Sequence, residues 1–308
     1  MRATKESRVT FEGVDAEQLV GTLREPADRA AAPPTSPSPS PLVPSPSRAP
    51  GPRPLALLAH GYMSHRDAPV LVRLADALSR VGVASLRWDF AGNGDSAGRF
   101  RYGGYRREAR EIGAAAALAR GRGYRVAALA GHSKGATSSV VFAGGGGGEG
   151  GAVPPNLRVV NLAGRFGVSE GVERRLGAGA LDALRRDGRV DGLPGRRASG
   201  EPFAWTLHAR DLEDRLSTDV GAYCAAVAAA AAGGGWADAQ AGAPRVLSIH
   251  CEGDEVVPAG EAARFHGALG GERGGHRLVV LPGGDHCFGE EAAAAAMVEE
   301  VVAWCCGG

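Results

Sequence analysis

The chain has 308 residues, which is enough for one large or two medium domains. Its apolar share of 44% is normal for a globular protein with a substantial core. The 35 lysines and arginines nearly balance the 34 aspartates and glutamates, so the net charge gives no reason to expect nucleic acid or an anionic membrane as a partner.

The first 30 residues predict a pair of N-terminal strands, at Val9–Phe11 and Gln18–Leu23. Residues 31–54 are crowded with proline, serine and alanine. We expect a disordered insertion there, because proline removes backbone donors and little apolar surface offsets the entropy of ordering. The N-terminus opens with polar and charged residues instead of a signal peptide, and no stretch of the chain predicts a membrane span.

From residue 55 onward, short apolar runs alternate with helical ones. Strands are predicted at Leu55–Ala59, Val83–Trp88, Arg125–Ala130, Leu157–Ala163, Arg245–His250 and Arg277–Leu281. Helices are predicted at Val70–Ser79, Arg106–Arg120, Ala136–Ala143, Ala259–Ala268 and Glu290–Ala303. The alternation predicts an α/β fold with a mostly parallel sheet and helices on both faces. Such sheets bind ligands at the carboxyl ends of their strands, so candidate functional residues should lie there.

One serine motif, Gly131-His-Ser133-Lys-Gly135, lies between the predicted strand Arg125–Ala130 and the helix that begins at Ala136. A G-x-S-x-G turn is tight and strained, needs small residues on both sides of the serine, and holds the hydroxyl clear of the sheet. Ser133 is therefore the candidate nucleophile.

Glycine is so frequent in this chain, with 48 residues, that the motif occurs a second time as Gly167-Val-Ser169-Glu-Gly171. This copy lies several residues beyond the end of its strand and opens a charged segment. Ser169 with Glu173 is better explained as the start of a helix. The long glycine run Gly144–Gly151, broken only by Glu149, predicts a mobile loop.

The candidate oxyanion donors are two backbone N–H groups, those of Tyr62 and Lys134. His60-Gly61-Tyr62 follows the strand Leu55–Ala59 directly, and Lys134 follows the candidate nucleophile. Hydrolases of this build place donors at these two positions, where they stabilise the developing alkoxide.

A neutral serine needs an adjacent base, and the base needs a carboxylate that orients it. His286, in a turn between the strand Arg277–Leu281 and the final helix, is the candidate base. Asp254 follows the strand Arg245–His250 and is the candidate acid, so the chain order is Ser, Asp, His. Asp285 is the alternative acid, but adjacent residues rarely orient each other's side chains well.

The remaining histidines are weaker candidates for the base. His250 lies within a strand and is expected to be structural, and His132 points the wrong way on its turn. His65 could line the pocket, while His208 and His266 lie in polar or helical stretches.

The five cysteines have no regular spacing and no CxxC pair, which predicts neither a disulfide framework nor a zinc site. We expect reduced thiols in a cytoplasmic protein, with no metal and no cofactor. The oligomeric state is left open.

Taken together, five segments make the chain resemble α/β-hydrolase esterases of the serine aminopeptidase S33 type. They are His60–Asp67, Arg87–Ser96, Gly131–Gly135, Gly253–Pro258 and Gly284–His286. The resemblance covers nearly all of the chain from residue 55 and implies an α/β-hydrolase domain at residues 55–304. It also implies that the Arg87–Ser96 loop braces the site without carrying a catalytic residue.

In such enzymes a cap covers the pocket, and here it would occupy about residues 165–215. This segment has few large apolar residues, which favours a solvated cap over an interfacial lid. The resemblance implies hydrolysis of a small or medium carboxylic ester. The alternatives are an aminopeptidase, amidase or thioesterase of the same fold, and a hydrolase-fold receptor for a small ligand.

Overall fold

An eight-stranded sheet forms the centre of the structure, which is a computed structural model describing residues 4–26, 51–148, 151–196, 200–233 and 242–307. Its strands are β1 (Lys5–Glu12), β2 (Gln18–Glu25), β3 (Arg53–Ala59), β4 (Ala84–Trp88), β5 (Tyr124–His132), β6 (Arg158–Leu162), β9 (Arg245–Cys251) and β10 (His276–Leu281). They lie in the order β1-β2-β4-β3-β5-β6-β9-β10. Within this sheet only β2 runs antiparallel to its neighbours, β1 and β4.

The described part of the chain has nine α-helices. Some pack against the sheet, and others belong to the long connection that links β6 to β9 along the chain. The nine helices are α1 (Pro69–Arg80), α2 (Tyr105–Gly121), α3 (Lys134–Val141), α4 (Val172–Leu176), α5 (Ala178–Asp187), α6 (Ala209–Leu216), α7 (Val220–Ala231), α8 (Gly260–Ala268) and α9 (Glu291–Cys306). A hairpin of β7 (Arg189–Arg196) and β8 (Pro202–His208) lies in the same connection. In the described ranges no helix is both long and apolar enough to cross a bilayer.

The central strand β3 shows why the sheet is buried on both faces. Leu55, Leu57 and Ala59 point into one core, together with residues of α2, α3, α7 and α8. Ala56 and Leu58 point into the other core, against α1 and α9. A strand that is covered on both faces needs apolar residues at every position, which is why these runs do not alternate.

All eight predicted strands and all five predicted helices are present, with ends that differ by a few residues. β3 begins at Arg53, so Arg53 and Pro54 belong to a strand, contrary to the prediction that the insertion runs to residue 54. Residues 27–50, which hold most of that predicted insertion, lie outside the described residues.

The prediction of a mobile loop for the whole glycine run is wrong at its beginning. Phe142–Gly146 continue α3 as a wide helical turn that is kinked at Gly145, whose φ is 91°. The reason is a close approach, since a Cβ at Gly144 would lie 2.5 Å from the carbonyl oxygen of Tyr223 on α7. Glycine is needed there to let the two backbones meet.

The connection between β6 and β9 includes α4, α5, the hairpin and α6, none of which is among the predicted elements. Its apolar side chains form a third core with two aromatic residues that precede α2, Phe100 and Tyr102. On the connection side this core holds Val172, Leu181, Leu184, Trp205 and Leu207. The role of residues 165–215 as a cap remains a prediction.

Candidate active site

Ser133 lies at the turn between β5 and α3, in a backbone conformation that L-residues rarely adopt. Its φ is 55° and its ψ is −116°. The strained backbone is held in place because the Ser133 N–H donates to the carbonyl oxygen of Leu162 on β6, at 2.8 Å. Such strain is maintained only where the surrounding structure enforces it, and it exposes the hydroxyl at the end of the sheet.

The two glycines of the motif are required by close packing around this turn. A Cβ at Gly131 would lie 2.3 Å from the carbonyl oxygen of Gly135, and a Cβ at Gly135 would lie 2.3 Å from that of His60. Both distances are far inside normal van der Waals contact. The glycines therefore let α3 begin directly against β3 and β5.

The structure brings Ser133, His286 and Asp254 together in one hydrogen-bonded row. His286 Nε2 lies 2.9 Å from Ser133 Oγ, and His286 Nδ1 lies 2.7 Å from Asp254 Oδ2. The three residues follow β5, β10 and β9, whose carboxyl ends meet at one edge of the sheet. This row has the geometry in which an imidazole can accept the serine proton while a carboxylate fixes its tautomer.

Asp254 is held as a carboxylate although its side chain is fully buried. Burial alone would raise its pKa, but the hydrogen bond to His286 and those from the backbone outweigh burial and lower the pKa. Its Oδ1 accepts from the N–H groups of Val256 and Val257, at 2.9 and 2.8 Å. A negative charge next to Nδ1 stabilises the imidazolium that would form during proton transfer.

Three buried histidines surround this row. Burial lowers the pKa of His60 to about 3 and, with repulsion from His286, that of His132 to about 4. His132 Nε2 lies 2.8 Å from the carbonyl oxygen of His286 and so fixes the backbone of the candidate base. His250, whose pKa is also lowered by burial, lies 3.7 Å from Asp254 Oδ2 and contacts the carbonyl oxygen of Val257. The predictions that His250 is structural and that His132 is not the base fit these contacts.

The two predicted oxyanion donors lie beside Ser133. Tyr62 and Lys134 both line a cavity of about 150 Å³ that Ser133 also lines. Within the described residues, neither the Tyr62 N–H nor the Lys134 N–H has an acceptor in the chain. Two free donors beside a serine hydroxyl can bind an oxygen that gains negative charge.

No family model matches this chain, and neither does any curated protein. Several solved structures match over nearly its whole length. The esterase domain of a Rhodothermus marinus protein is 19% identical, with a TM-score of 0.59 and coverage of 97% of both chains. The α/β hydrolase GrgF from Penicillium sp. sh18 is 17% identical, with a TM-score of 0.63 and coverage of 97% of this chain and 98% of that one. The chain has the α/β-hydrolase fold.

A third match, Est1E from Butyrivibrio proteoclasticus with ferulic acid bound, is 19% identical with a TM-score of 0.59. The match covers 95% of this chain and 99% of the Est1E chain. At these identities the structural similarity establishes the α/β-hydrolase fold, as the sequence predicted. It does not establish the reaction, which has to be inferred from the residues of the site.

Ser169 and Asp285, the alternatives for the nucleophile and the acid, have other surroundings and partners than the row of Ser133, His286 and Asp254. Ser169 is exposed and lines a different cavity. Its predicted part in starting a helix is wrong, because Gly171 occupies the N-cap of α4 and no side chain caps the helix. Asp285 accepts from the N–H groups of Cys287 and Gly289, so its carboxylate stabilises a turn. Asp254, and not Asp285, contacts the imidazole of His286.

The Arg87–Ser96 loop is hydrogen-bonded to the segment that follows β3. The Phe90 N–H donates to His60 Nε2 at 3.0 Å, which ties this loop to the start of the oxyanion loop. The buried carboxylate of Asp89 accepts from the backbone and guanidinium of Arg66 and from the N–H of Asp95. The loop positions the backbone of residues 60–66 without touching Ser133.

A cavity of about 610 Å³, larger than the one at Ser133, is also present in the described part of the chain. It lies between the loops after β3 and β4 and the strand β8, and His65 lines it. Because Ser133, the candidate nucleophile, lines the 150 Å³ cavity, this cavity is the candidate substrate pocket in spite of its smaller size. The suggestion that His65 lines the pocket therefore holds only for the larger cavity.

The sequence did not single out three arginines that line the smaller cavity. They are Arg165, Arg175 and Arg215, which line it together with Ser133, Tyr62 and Lys134. They come from the connection between β6 and β9, where arginine is common and no spacing in the sequence distinguishes those that line the cavity.

The ammonium group of Lys134 is paired with Glu108 on α2, whose other oxygen accepts from Ser138 on α3. No group of His, Cys, Asp or Glu in the described residues is arranged to hold a metal ion.

Proposed function

We propose that this chain is a serine hydrolase that cleaves small or medium carboxylic esters through an acyl-enzyme on Ser133. The observation that carries the proposal is the row from Ser133 Oγ through His286 to Asp254, with spacings of 2.9 and 2.7 Å. Tyr62 and Lys134 line the same cavity as Ser133, and their N–H groups, which have no acceptor within the described residues, support the proposal as the oxyanion donors that acyl transfer needs.

In the first half-reaction, Ser133 Oγ attacks the ester carbonyl carbon while its proton moves to His286 Nε2. The carbonyl π electrons move onto the oxygen, which the N–H groups of Tyr62 and Lys134 then bind. The tetrahedral species collapses, the bond to the alcohol oxygen breaks, and His286 returns its proton to the leaving alcohol. Asp254 stabilises the positive imidazole in between.

In the second half-reaction, water takes the place of the alcohol. His286 accepts a proton from the water as the water oxygen attacks the acyl carbon, and Ser133 Oγ leaves with that proton. Each oxyanion donor is expected to contribute about 3 kcal/mol to the stabilisation of both tetrahedral species. The products are the free carboxylic acid and the alcohol.

Two features of the pocket bear on the alternatives. A volume of about 150 Å³ is small for a ligand site and favours short acyl groups. An aminopeptidase needs a negative group that binds the substrate amine, but the residues lining the pocket include no carboxylate and three arginines. Ester hydrolysis therefore fits this pocket better than aminopeptidase activity, and the S33 aminopeptidase subtype is not part of the proposal.

We further propose that residues 165–215 act as the cap of this enzyme, since Arg165, Arg175 and Arg215 reach the pocket of Ser133.

The five cysteines are all unpaired, which is compatible with the reducing cytoplasm that we expect.

A fluorophosphonate probe tests the nucleophile directly. Purified protein is labelled, digested and mapped, and we expect the adduct on Ser133. Ser133→Ala should lose both labelling and turnover of 4-nitrophenyl acetate and butanoate. Ser169→Ala is the matched control, because Ser169 lies in the same motif but outside the pocket, and it should keep both.

Two results would contradict the proposal. Labelling at Ser169, or at no serine, would remove Ser133 as the nucleophile. Labelling at Ser133 with turnover slower than one event in minutes, and with the product retained, would favour a small-ligand receptor built on the same site.

A further inference from the structure

The candidate substrate pocket is strongly positive. Three arginine side chains reach it, Arg165, Arg175 and Arg215, and none of the residues that line it is acidic. In the described ranges none of the three forms an ion pair with a carboxylate, whereas Lys134 in the same pocket is paired with Glu108. The arginines therefore leave an uncompensated positive charge beside Ser133.

Arg215 is the most unusual of the three because it is buried, with only 2% of its surface exposed. Its Nη1 donates to the hydroxyl of Tyr105 at 2.8 Å, and its guanidinium carbon lies 4.6 Å from the centre of the Tyr102 ring. Its Nε has no partner. A buried cation that contacts only neutral groups is costly unless an anion arrives to pair with it.

Arg165 and Arg175 also line the pocket and add to this charge, and the Arg165 guanidinium donates to a neutral group, the carbonyl oxygen of Val256, at 2.5 Å. Burial lowers the pKa of Arg165, and repulsion from Arg175 and Arg215 lowers it further, against the attraction of Glu261. The carboxylate of Glu261 is already bound to Arg264 and to the N–H of Gly167. Three guanidinium groups that repel one another around an empty space are arranged to receive an anion.

We propose that Arg165, Arg175 and Arg215 bind a carboxylate of the substrate, so that the preferred substrate is a short ester carrying a second, ionised carboxyl group. This inference rests on the proposed ester hydrolysis at Ser133 and names its substrate class. Arginine suits the task because its planar donors match a carboxylate in two-point contacts. The pocket volume of about 150 Å³ limits the spacer between the two groups to a few carbons.

Matched substrates test the charge preference. Monomethyl glutarate and methyl pentanoate have acyl chains of equal length and differ by a terminal carboxylate in place of a methyl group. Acid release from both is followed in a pH-stat, and we expect kcat/KM to be at least about tenfold higher for the charged ester. The preference should shrink as salt is raised. A second pair, O-acetylglycolate and ethyl acetate, places the carboxylate on the alcohol side and tells which side the arginines bind.

Neighbouring arginines on α4 provide the variant and its control. Arg175→Gln should lower the ratio of charged to neutral kcat/KM about tenfold, because it removes one of the three cations. Arg174→Gln changes the adjacent residue, which is exposed but does not line the pocket, and should keep the wild-type ratio. Arg175→Glu should abolish the preference altogether. Arg175 is exposed, so these substitutions leave the buried core intact.

A binding measurement separates failure of this inference from failure of the proposed function. Calorimetry with Ser133→Ala protein should detect glutarate but not pentanoate, and Arg175→Gln in that background should weaken glutarate binding about tenfold. Turnover of neutral esters as fast as charged ones, with no glutarate binding, would overturn the inference and leave the esterase standing. Glutarate binding without turnover of any ester would overturn the esterase and keep the anion site.

Discussion

Acidification from pH 6.5 to pH 5 should destabilise the folded chain, because burial keeps several of its histidines neutral. Burial lowers the pKa of His60 to about 3 and those of His132 and His276 to about 4, from an ordinary value of 6.5. Below pH 6.5 the unfolded chain binds a proton at each position, whereas the folded chain does not until about pH 4. Stability is therefore complete above pH 6.5 and is lost as the pH falls towards 4.

The size of the effect follows from the shifts. Each neutral histidine costs about 1.4 kcal/mol of stability for each pH unit below 6.5. At pH 5 this amounts to about 2 kcal/mol for each histidine and about 6 kcal/mol for the three together. A loss of that order is comparable with the whole free energy of unfolding of a typical domain, about 5–15 kcal/mol.

Urea unfolding followed by tryptophan fluorescence at half-unit pH steps measures this loss. Near pH 5.5 the three histidines should lower the free energy of unfolding by about 4 kcal/mol per pH unit, while Glu111, whose pKa burial raises to about 7, should oppose this by about 1 kcal/mol per pH unit. His276→Gln should reduce the observed slope by about 1 kcal/mol per pH unit, since it removes one of the three histidines. His65→Gln, at a half-exposed loop position, is the control. A stability that stays level from pH 6.5 to 5, or a slope that His276→Gln leaves unchanged, would refute the reasoning.

Three substitutions around the site give further tests. Asp254→Asn should lower kcat about 10⁴-fold with little change in thermal stability, because the imidazole loses its orienting charge; a loss under tenfold would exclude this role. Gly135→Ala should abolish activity and lower the melting temperature, since its Cβ would lie 2.3 Å from the carbonyl oxygen of His60; wild-type melting would contradict the close packing. Glu108→Ala should cost about 3–5 kcal/mol of unfolding free energy in urea, because it leaves the buried ammonium of Lys134 unpaired; a cost below about 1 kcal/mol would show that this cation finds another partner.

The positions of the candidate site residues were predictable because topology fixes where strand ends meet. Ser133, Asp254 and His286 each follow an apolar run, and in a parallel sheet the carboxyl ends of all such runs lie at one edge. Tyr62 was predictable for the same reason, as it follows the neighbouring strand β3. The pattern of short apolar runs was therefore enough to predict that these four residues lie at the same edge of the sheet.

The sequence of the connection between β6 and β9 did not predict its helices or which of its residues line the pocket. α7 is almost entirely alanine and other apolar residues, so its sequence has no polar face from which a helical period could be read. Arg165, Arg175 and Arg215 converge on the pocket from three separate places in this connection, among many arginines that face solvent. Which of them converge depends on how α4 and α6 pack, and charge patterning does not encode that packing. The buried neutral state of His60 and His132 likewise depends on tertiary contacts.

The order of the strands has a kinetic consequence for how activity is acquired during refolding. Ser133 and the candidate oxyanion donors follow the central strands β3 and β5, whereas Asp254 and His286 follow β9 and β10, which extend the sheet beyond β6 to one edge. Pairings between distant parts of a chain form slowly, since the intervening segment must close as a loop first. Ester turnover should therefore return later than helical circular dichroism after dilution from denaturant, which makes activity a reporter of the last two strands joining the sheet.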